Sequence, residues 1–292
     1  MPQANHYGND AFIVSAQLYG NDATVYARSG YTLKYQQTLV NDISAPQGDF
    51  ATQNDYLYLS NSGRSNILVY KIRNKKPFPQ YPTNTLDDYG QIPVNVSATT
   101  SRNLVAVSNY AALTGGAGSV SVYLNRDSEP SRVLTYGTDQ LQGEGVAIDH
   151  QGNCFWSFND PNTNGGSIVE FAGCNGSGSV VQPGLTKAEG VVFDQSGNMY
   201  YVDQTQGVFK CVKTSSCYLW APNATYGFGL PTNINFDYKA KALWLADATG
   251  YIWSIELKGG KCTEPKKHGG LCVRQYPSQD GDPFGVAPIR GE

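Results

Sequence analysis

Two carboxylates draw attention because the sequence spells the same surroundings around each. Glu144-Gly145-Val146-Ala147-Ile148-Asp149 runs into Gly152-Asn153, and Glu189-Gly190-Val191-Val192-Phe193-Asp194 runs into Gly197-Asn198. Brought to one opening, two such groups could do two kinds of chemistry. Their oxygens suit a hard divalent cation such as calcium. Shielded from water, their repulsion would raise one pKa and supply a proton-transfer group. The plainer role is to accept hydrogen bonds from backbone or water in a polar channel. Lys187, two residues before Glu189, could also neutralise a carboxylate as an ordinary ion pair.

Other chemistry-bearing patterns are sparse. The sequence has no G-x-S-x-G elbow, H-E-x-x-H helix, phosphate-cradling Gly-Lys loop or dinucleotide fingerprint. His6, His150 and His268 lie far from one another. The six cysteines fall into local pairs: Cys211 with Cys217, Cys262 with Cys272, and Cys154 with Cys174. Spacing alone leaves connectivity open. Neighbour pairing is the natural expectation, because each pair would staple adjacent strands. The zinc reading lacks a C-x-x-C pair. Disulfides imply an oxidising compartment, so the protein is expected to be secreted, either extracellular or periplasmic.

Elements that could position these residues repeat along the chain. Each of the two Glu segments reads as an apolar strand, a tight Gly-Asn turn and a second strand. A third strand follows at 167–171 and at 207–210. The same frame returns at Pro46-Gln47-Gly48, at Pro93-Val94-Asn95 and at Pro231-Thr232-Asn233. The anchors at 48, 95, 145, 190 and 233 lie 43 to 50 residues apart, the length of one four-stranded propeller blade with its loops. Near the C-terminus, residues 283–287 spell a first strand with no second. Near the N-terminus, residues 12–15 and 23–26 spell second and third strands with no first. Joined, they make a sixth blade and protect strand edges that would otherwise be open.

The expected fold is therefore all-β: a single six-bladed β-propeller over residues 1–292, closed by pairing of the C-terminal strand with the N-terminal blade. Blade 1 is expected from 283–288 plus 10–40, blade 2 over 45–80 and blade 3 over 92–136. Blades 4, 5 and 6 are expected over 143–175, 188–220 and 230–275. Composition agrees. Only 15% of residues are charged, while Gly numbers 32, Tyr 20 and Pro 15, a mix that favours short strands and turns over helices.

The Pro-x-Gly or Glu-Gly openings, the Asp ending the first strand, the Gly-Asn turn and Tyr201-Val202-Asp203 resemble NHL-type propellers and the related gluconolactonase/regucalcin-like propellers. The resemblance spans nearly the whole chain. It implies divalent-metal ligands at the position before the anchor, carried over here only onto Glu144 and Glu189. At that position the other blades hold Phe284, Gln47, Val94 and Thr232. Gln47, Asn95 and Asn233 are candidate ligand-binding residues at the same mouth.

Trp220, with Tyr218, Tyr226 and Phe228, reads as part of a longer connection whose exposed aromatic surface could hold a carbohydrate or a partner. Trp156, Trp244 and Trp253 fall inside strands and read as core. Asp149, Asp194 and Asp237 end first strands and read as turn caps, as do Asp203, Asp247 and Asn61 at second-strand ends. With 21 basic against 24 acidic residues, nothing marks a nucleic-acid binder. No stretch is apolar enough to span a membrane. The expectation is an exported module binding a protein, small molecule or carbohydrate through its loops and channel mouth. The alternative is a divalent-metal-dependent hydrolase of the lactonase type using Glu144 and Glu189.

Overall fold

A computed structural model describes residues 11–29, 32–52, 56–72, 78–99, 103–137, 140–237, 242–257, 267–268 and 271–289. The strands assemble into six separate antiparallel sheets, five of four strands and one of five. Each sheet is built in chain order from an inner strand outwards, except in blade 6, where Lys267–His268 lies outside Leu271–Pro277, and at the junction of the termini. There the inner strand is Ala287–Ile289 and the next three are Ala11–Gln17, Asp22–Ser29 and Thr32–Leu39. Inner strands touch their neighbours in sequence, and that of blade 6 returns to that of blade 1. The ring is a closed six-bladed propeller.

Closure takes a different form from the expected first strand over 283–287. The regular ladder pairs Val14 with Ala287, Ile13 with Pro288 and Phe12 with Ile289. Pro283 makes only an isolated bridge to Gln17, because the chain bulges between these two contacts. Blades 2 and 4 also run past their expected ends. Their outer strands are Asn84–Asp87 and Ser179–Leu185. The second reads SVVQPGL, and its Gln, Pro and Gly mask the strand signal.

Each seam between adjacent blades carries its own apolar cluster. Val14, Val25, Leu57, Leu68 and Ile289 join blades 1 and 2. Phe155, Ile168, Val191, Phe193 and Tyr201 join blades 4 and 5. Alternation along a strand sends successive side chains to opposite faces, so every blade feeds two seams. Trp156, Trp244 and Trp253 are fully buried, as their strand positions predict.

Cys154–Cys174 ties the second strand of blade 4 to the short turn after its third, and Cys211–Cys217 joins the third and outer strands of blade 5. Cys272 is disulfide-bonded as well; Cys262, its expected partner, lies outside the described residues. No helix among the described residues is long and apolar enough to cross a membrane.

Candidate functional site

The position before the anchor is set by a bulge. In blade 4 the ladder pairs Gly143 and Gly145 with consecutive residues, leaving Glu144 over. In blade 5 the register breaks between Ala188 and Val191, across Glu189. The same break isolates Gln47, Val94 and Thr232 in blades 2, 3 and 6, and Phe284 falls in the irregular stretch of blade 1. A bulge re-aims a side chain out of the sheet plane. Here it turns all six residues into one cavity of about 690 Å³ at the channel mouth.

Close packing locks the two carboxylate-bearing bulges together. A Cβ on Gly145 would lie 2.6 Å from the Glu189 carbonyl oxygen, so no larger residue fits the anchor. The Ser157 hydroxyl accepts from the Gly145 N–H at 2.8 Å and donates to the Glu189 carbonyl. Neither Ser157 nor the residues holding the carboxylates stand out in the sequence. Asn159 donates to Glu144 Oε1 at 3.1 Å, and Gln204 donates to Glu189 Oε1 at 2.9 Å. Their signal is weak because they differ in type and sit on second-strand ends, where polar residues are ordinary.

Lys187 Nζ lies 3.7 Å from Glu189 Oε1 and donates to Gln204 at 2.7 Å. The expected ion pair is present, but the Lys187 side chain is 48% exposed against 9% for Glu189. Burial raises Glu189 well above the usual carboxylate range, Glu144 raises it further, and Lys187 only partly offsets both. Glu144 is pushed up to about 7, chiefly by burial, against the lowering effects of Asn159 and Lys187. The pair therefore holds a proton into the neutral range. Only one oxygen of each carboxylate receives a donor; no described residue reaches either Oε2.

Calcium takes about six to eight oxygen ligands, and the mouth does not supply such a cage. No group of three or more His, Cys, Asp or Glu gathers to hold a metal among the described residues. Three of the nearby amide oxygens are already acceptors. Asn95 Oδ1 takes the Val146 N–H at 3.2 Å, Asn159 Oδ1 takes the Ala188 N–H at 2.8 Å, and Gln204 Oε1 takes Lys187. The residues present do not fit a resident calcium ion.

Gln47, Asn95 and Asn233 all line the same cavity as the two Glu residues. Gln47 donates to Ser62, while Asn95 and Asn233 are buried between inner strands. Trp220 lies elsewhere. It sits on the outer strand of blade 5, packed edge-to-face on Tyr200 at 5.5 Å. The expected exposed aromatic surface around it does not form, since Tyr226 and Phe228 are buried in the seam with blade 6 and only Tyr218 is well exposed. The Pro and Gly residues that follow Trp220 read as a connection, which hides the outer strand in the sequence.

The aspartates cap turns as expected. Asp194 Oδ1 accepts from the Ser196 and Asn198 N–H groups, and Asp149 does the same for Gln151 and Asn153. Asp203 and Asp247 hold second-strand turns, and Asn61 accepts from Ser44. Asp237 pairs with Arg28 at 2.9 Å across the seam of blades 6 and 1, and the turn that follows it lies outside the described residues.

No protein-family model and no curated protein matches the sequence. Solved structures do. A crystal structure of a nidogen/laminin complex superposes with a TM-score of 0.69 at 14% identity, over 96% of this chain and 98% of that one. A calcium-binding protein, regucalcin, from Agrobacterium tumefaciens strain C58 gives 0.58 at 8% identity, over 83% and 77%. The likeness is one of fold. The resemblance to NHL-type and regucalcin-like propellers, expected from the repeats, holds at that level.

Proposed function

We propose that the protein is an exported propeller serving as a binding module, and that it takes its ligand at the channel mouth between Glu144 and Glu189. One observation carries this reading: six bulges, one per blade, turn their side chains into a single cavity that holds two carboxylates whose pKa values burial raises. A concave pocket with a few convergent polar groups and perturbed acids is where a ligand site is expected. The disulfides support export. The nidogen/laminin complex is a propeller of the same fold captured with a protein partner, and regucalcin is described as binding calcium.

Calorimetry separates this reading from the metal-dependent hydrolase. Wild type and the Glu144→Gln/Glu189→Gln variant are titrated with calcium. Absence of heat from the wild type ends the hydrolase reading and leaves the binding module. Micromolar or tighter binding that the double variant abolishes would put the hydrolase first. Export is tested by mass spectrometry of protein from its native compartment, where six free thiols would overturn it.

A further inference from the structure

We infer that the channel mouth takes an organic cation, an ammonium or guanidinium group, between Glu144 and Glu189, rather than a metal ion. The inference deepens the binding reading and rests on it. A metal ion must replace most of its water with protein oxygens, and the amide oxygens of Asn95, Asn159 and Gln204 are spent on the Val146 and Ala188 backbone and on Lys187. An ammonium or guanidinium group asks for less. It brings its own N–H donors and needs acceptors in a fixed direction. Glu189 is 7% exposed, lines the cavity and keeps Oε2 without a donor; Oε2 of Glu144 is equally unclaimed. These are two acceptors held by Asn159 and Gln204 and waiting for donors.

The rest of the lining suits a carbon-bearing cation. Val94, Leu230 and Phe284 offer apolar wall, and Tyr110 and Phe284 offer aromatic rings. Tyr19, 73% exposed, packs edge-on against Phe284 at 6.1 Å and extends that wall outwards. Aromatic faces attract cations and apolar walls cover the alkyl stem.

Lys187 shows the mouth already accepting such a group. Its ammonium approaches Glu189 from outside on a half-exposed stem, so an incoming cation would compete with it. The charged and titratable groups facing the pair are Lys187 from the connection, Asp160 and Asp203 from the second strands of blades 4 and 5, and Tyr110 from blade 3. Asp203 is held by the Thr186, Thr205 and Gln206 N–H groups. Burial keeps the two Glu residues protonated towards neutral pH, and a proton must leave when the cation arrives, so binding strengthens as pH rises.

The probes are agmatine and 1,5-diaminopentane as free amines, and capped Gly-Lys-Gly and Gly-Arg-Gly as side chains on a chain. The neutral control is the same lysine peptide acetylated at Nε. At least one cationic probe is expected to bind at pH 8 with a Kd of about 1 mM or tighter. Affinity should fall about tenfold from pH 8 to pH 6, and at least tenfold in Glu144→Gln/Glu189→Gln. The Lys187→Ala variant should bind the same probe more tightly, a gain that a merely misfolded mouth cannot show. Binding by the free amines alone points to a small metabolite, and by the peptides to a partner's side chain; both bear out the chemistry. Failure of all four cationic probes overturns the inference, as does equal binding of the acetylated peptide. A neutral ligand whose binding is lost in the double variant would keep the binding module and remove only the organic cation.

Discussion

Blades 4 and 5 and blade 2 place carboxylates two steps apart on the same inner-strand motif, and the consequences are opposite. In blades 4 and 5 the acids occupy the bulge, Glu144 and Glu189, with Val146 and Val191 facing the seams behind them. In blade 2 the bulge holds Gln47, and the acid, Asp49, occupies the seam position. The other blades hold Val286, Val96, Val146, Val191 and Ile234 there. Asp49 is fully buried, neither carboxylate oxygen makes a hydrogen bond of good geometry, and burial raises its pKa well above the ordinary value, only partly offset by the nearby Asp49 and Ala16 N–H groups. The same functional group is a ligand candidate where the backbone turns it to a cavity, and a structural burden where it turns towards the next blade.

The largest effect should come from Gly285→Ala. Its Cβ would sit 2.5 Å from Asp49 Oδ1 and 2.6 Å from the Gln47 carbonyl oxygen. A loss of about 3 kcal/mol is expected in urea unfolding, and because the second clash is with backbone, Asp49→Ala should not restore it. A Gly285→Ala protein as stable as wild type would show that the closing seam is looser than blades 4 and 5.

Asp49→Val, which gives blade 2 the residue of its neighbours, should stabilise by about 2 kcal/mol. The gain should depend on pH. The folded protein holds the Asp49 proton more tightly than the unfolded chain does. The favourable contribution is therefore complete below the unfolded value of about 4 and lost as pH rises through the folded one. A gain of the same size at acidic and alkaline pH would break the comparison.

Glu144→Gln/Glu189→Gln has the same sign and a smaller size. Both folded values are raised, so the wild type loses stability as pH climbs from the usual Glu value towards about 7 for Glu144. The double variant should gain about 1 kcal/mol at pH 8 and nothing near pH 4. Thermal melts at the two pH values check this. A variant less stable than wild type at pH 8 would mean that the acids hold the mouth together.

The smallest contrast lies between two caps. Asp149→Ala and Asp194→Ala each remove a turn cap, at a cost of about 1 kcal/mol. Asp194 should cost more, because Oδ2 also accepts from the Tyr200 hydroxyl at 3.3 Å. Equal losses would show that this long bond contributes nothing.

The fold was legible because its signals are local. The Gly-Asn turns after Asp149 and Asp194, the apolar strands and the split repeat at the termini gave the blade count without any contact being known. Weakly apolar outer strands were harder to see. Ser179–Leu185 and the strand carrying Trp220 face solvent on one side, so their composition resembles a loop. At the site, Glu144 and Glu189 were readable from the repeated frame, but Asn159, Gln204 and Ser157 were not. Each is an ordinary polar residue whose importance comes from what faces it across a seam.

Sequence by itself determined the repeat, its closure across the termini and which residue types occupy each repeated position, because strand period and turn chemistry act over a few residues. Only the tertiary structure decided how the side chains at those positions are held and what they face. A bulge of one residue, repeated around the ring, sends Glu144 and Glu189 into a cavity, while Asp49, two places further along its strand, is sealed between sheets. That choice depends on the approach of neighbouring blades, some 45 residues distant along the chain, and no short-range pattern encodes it.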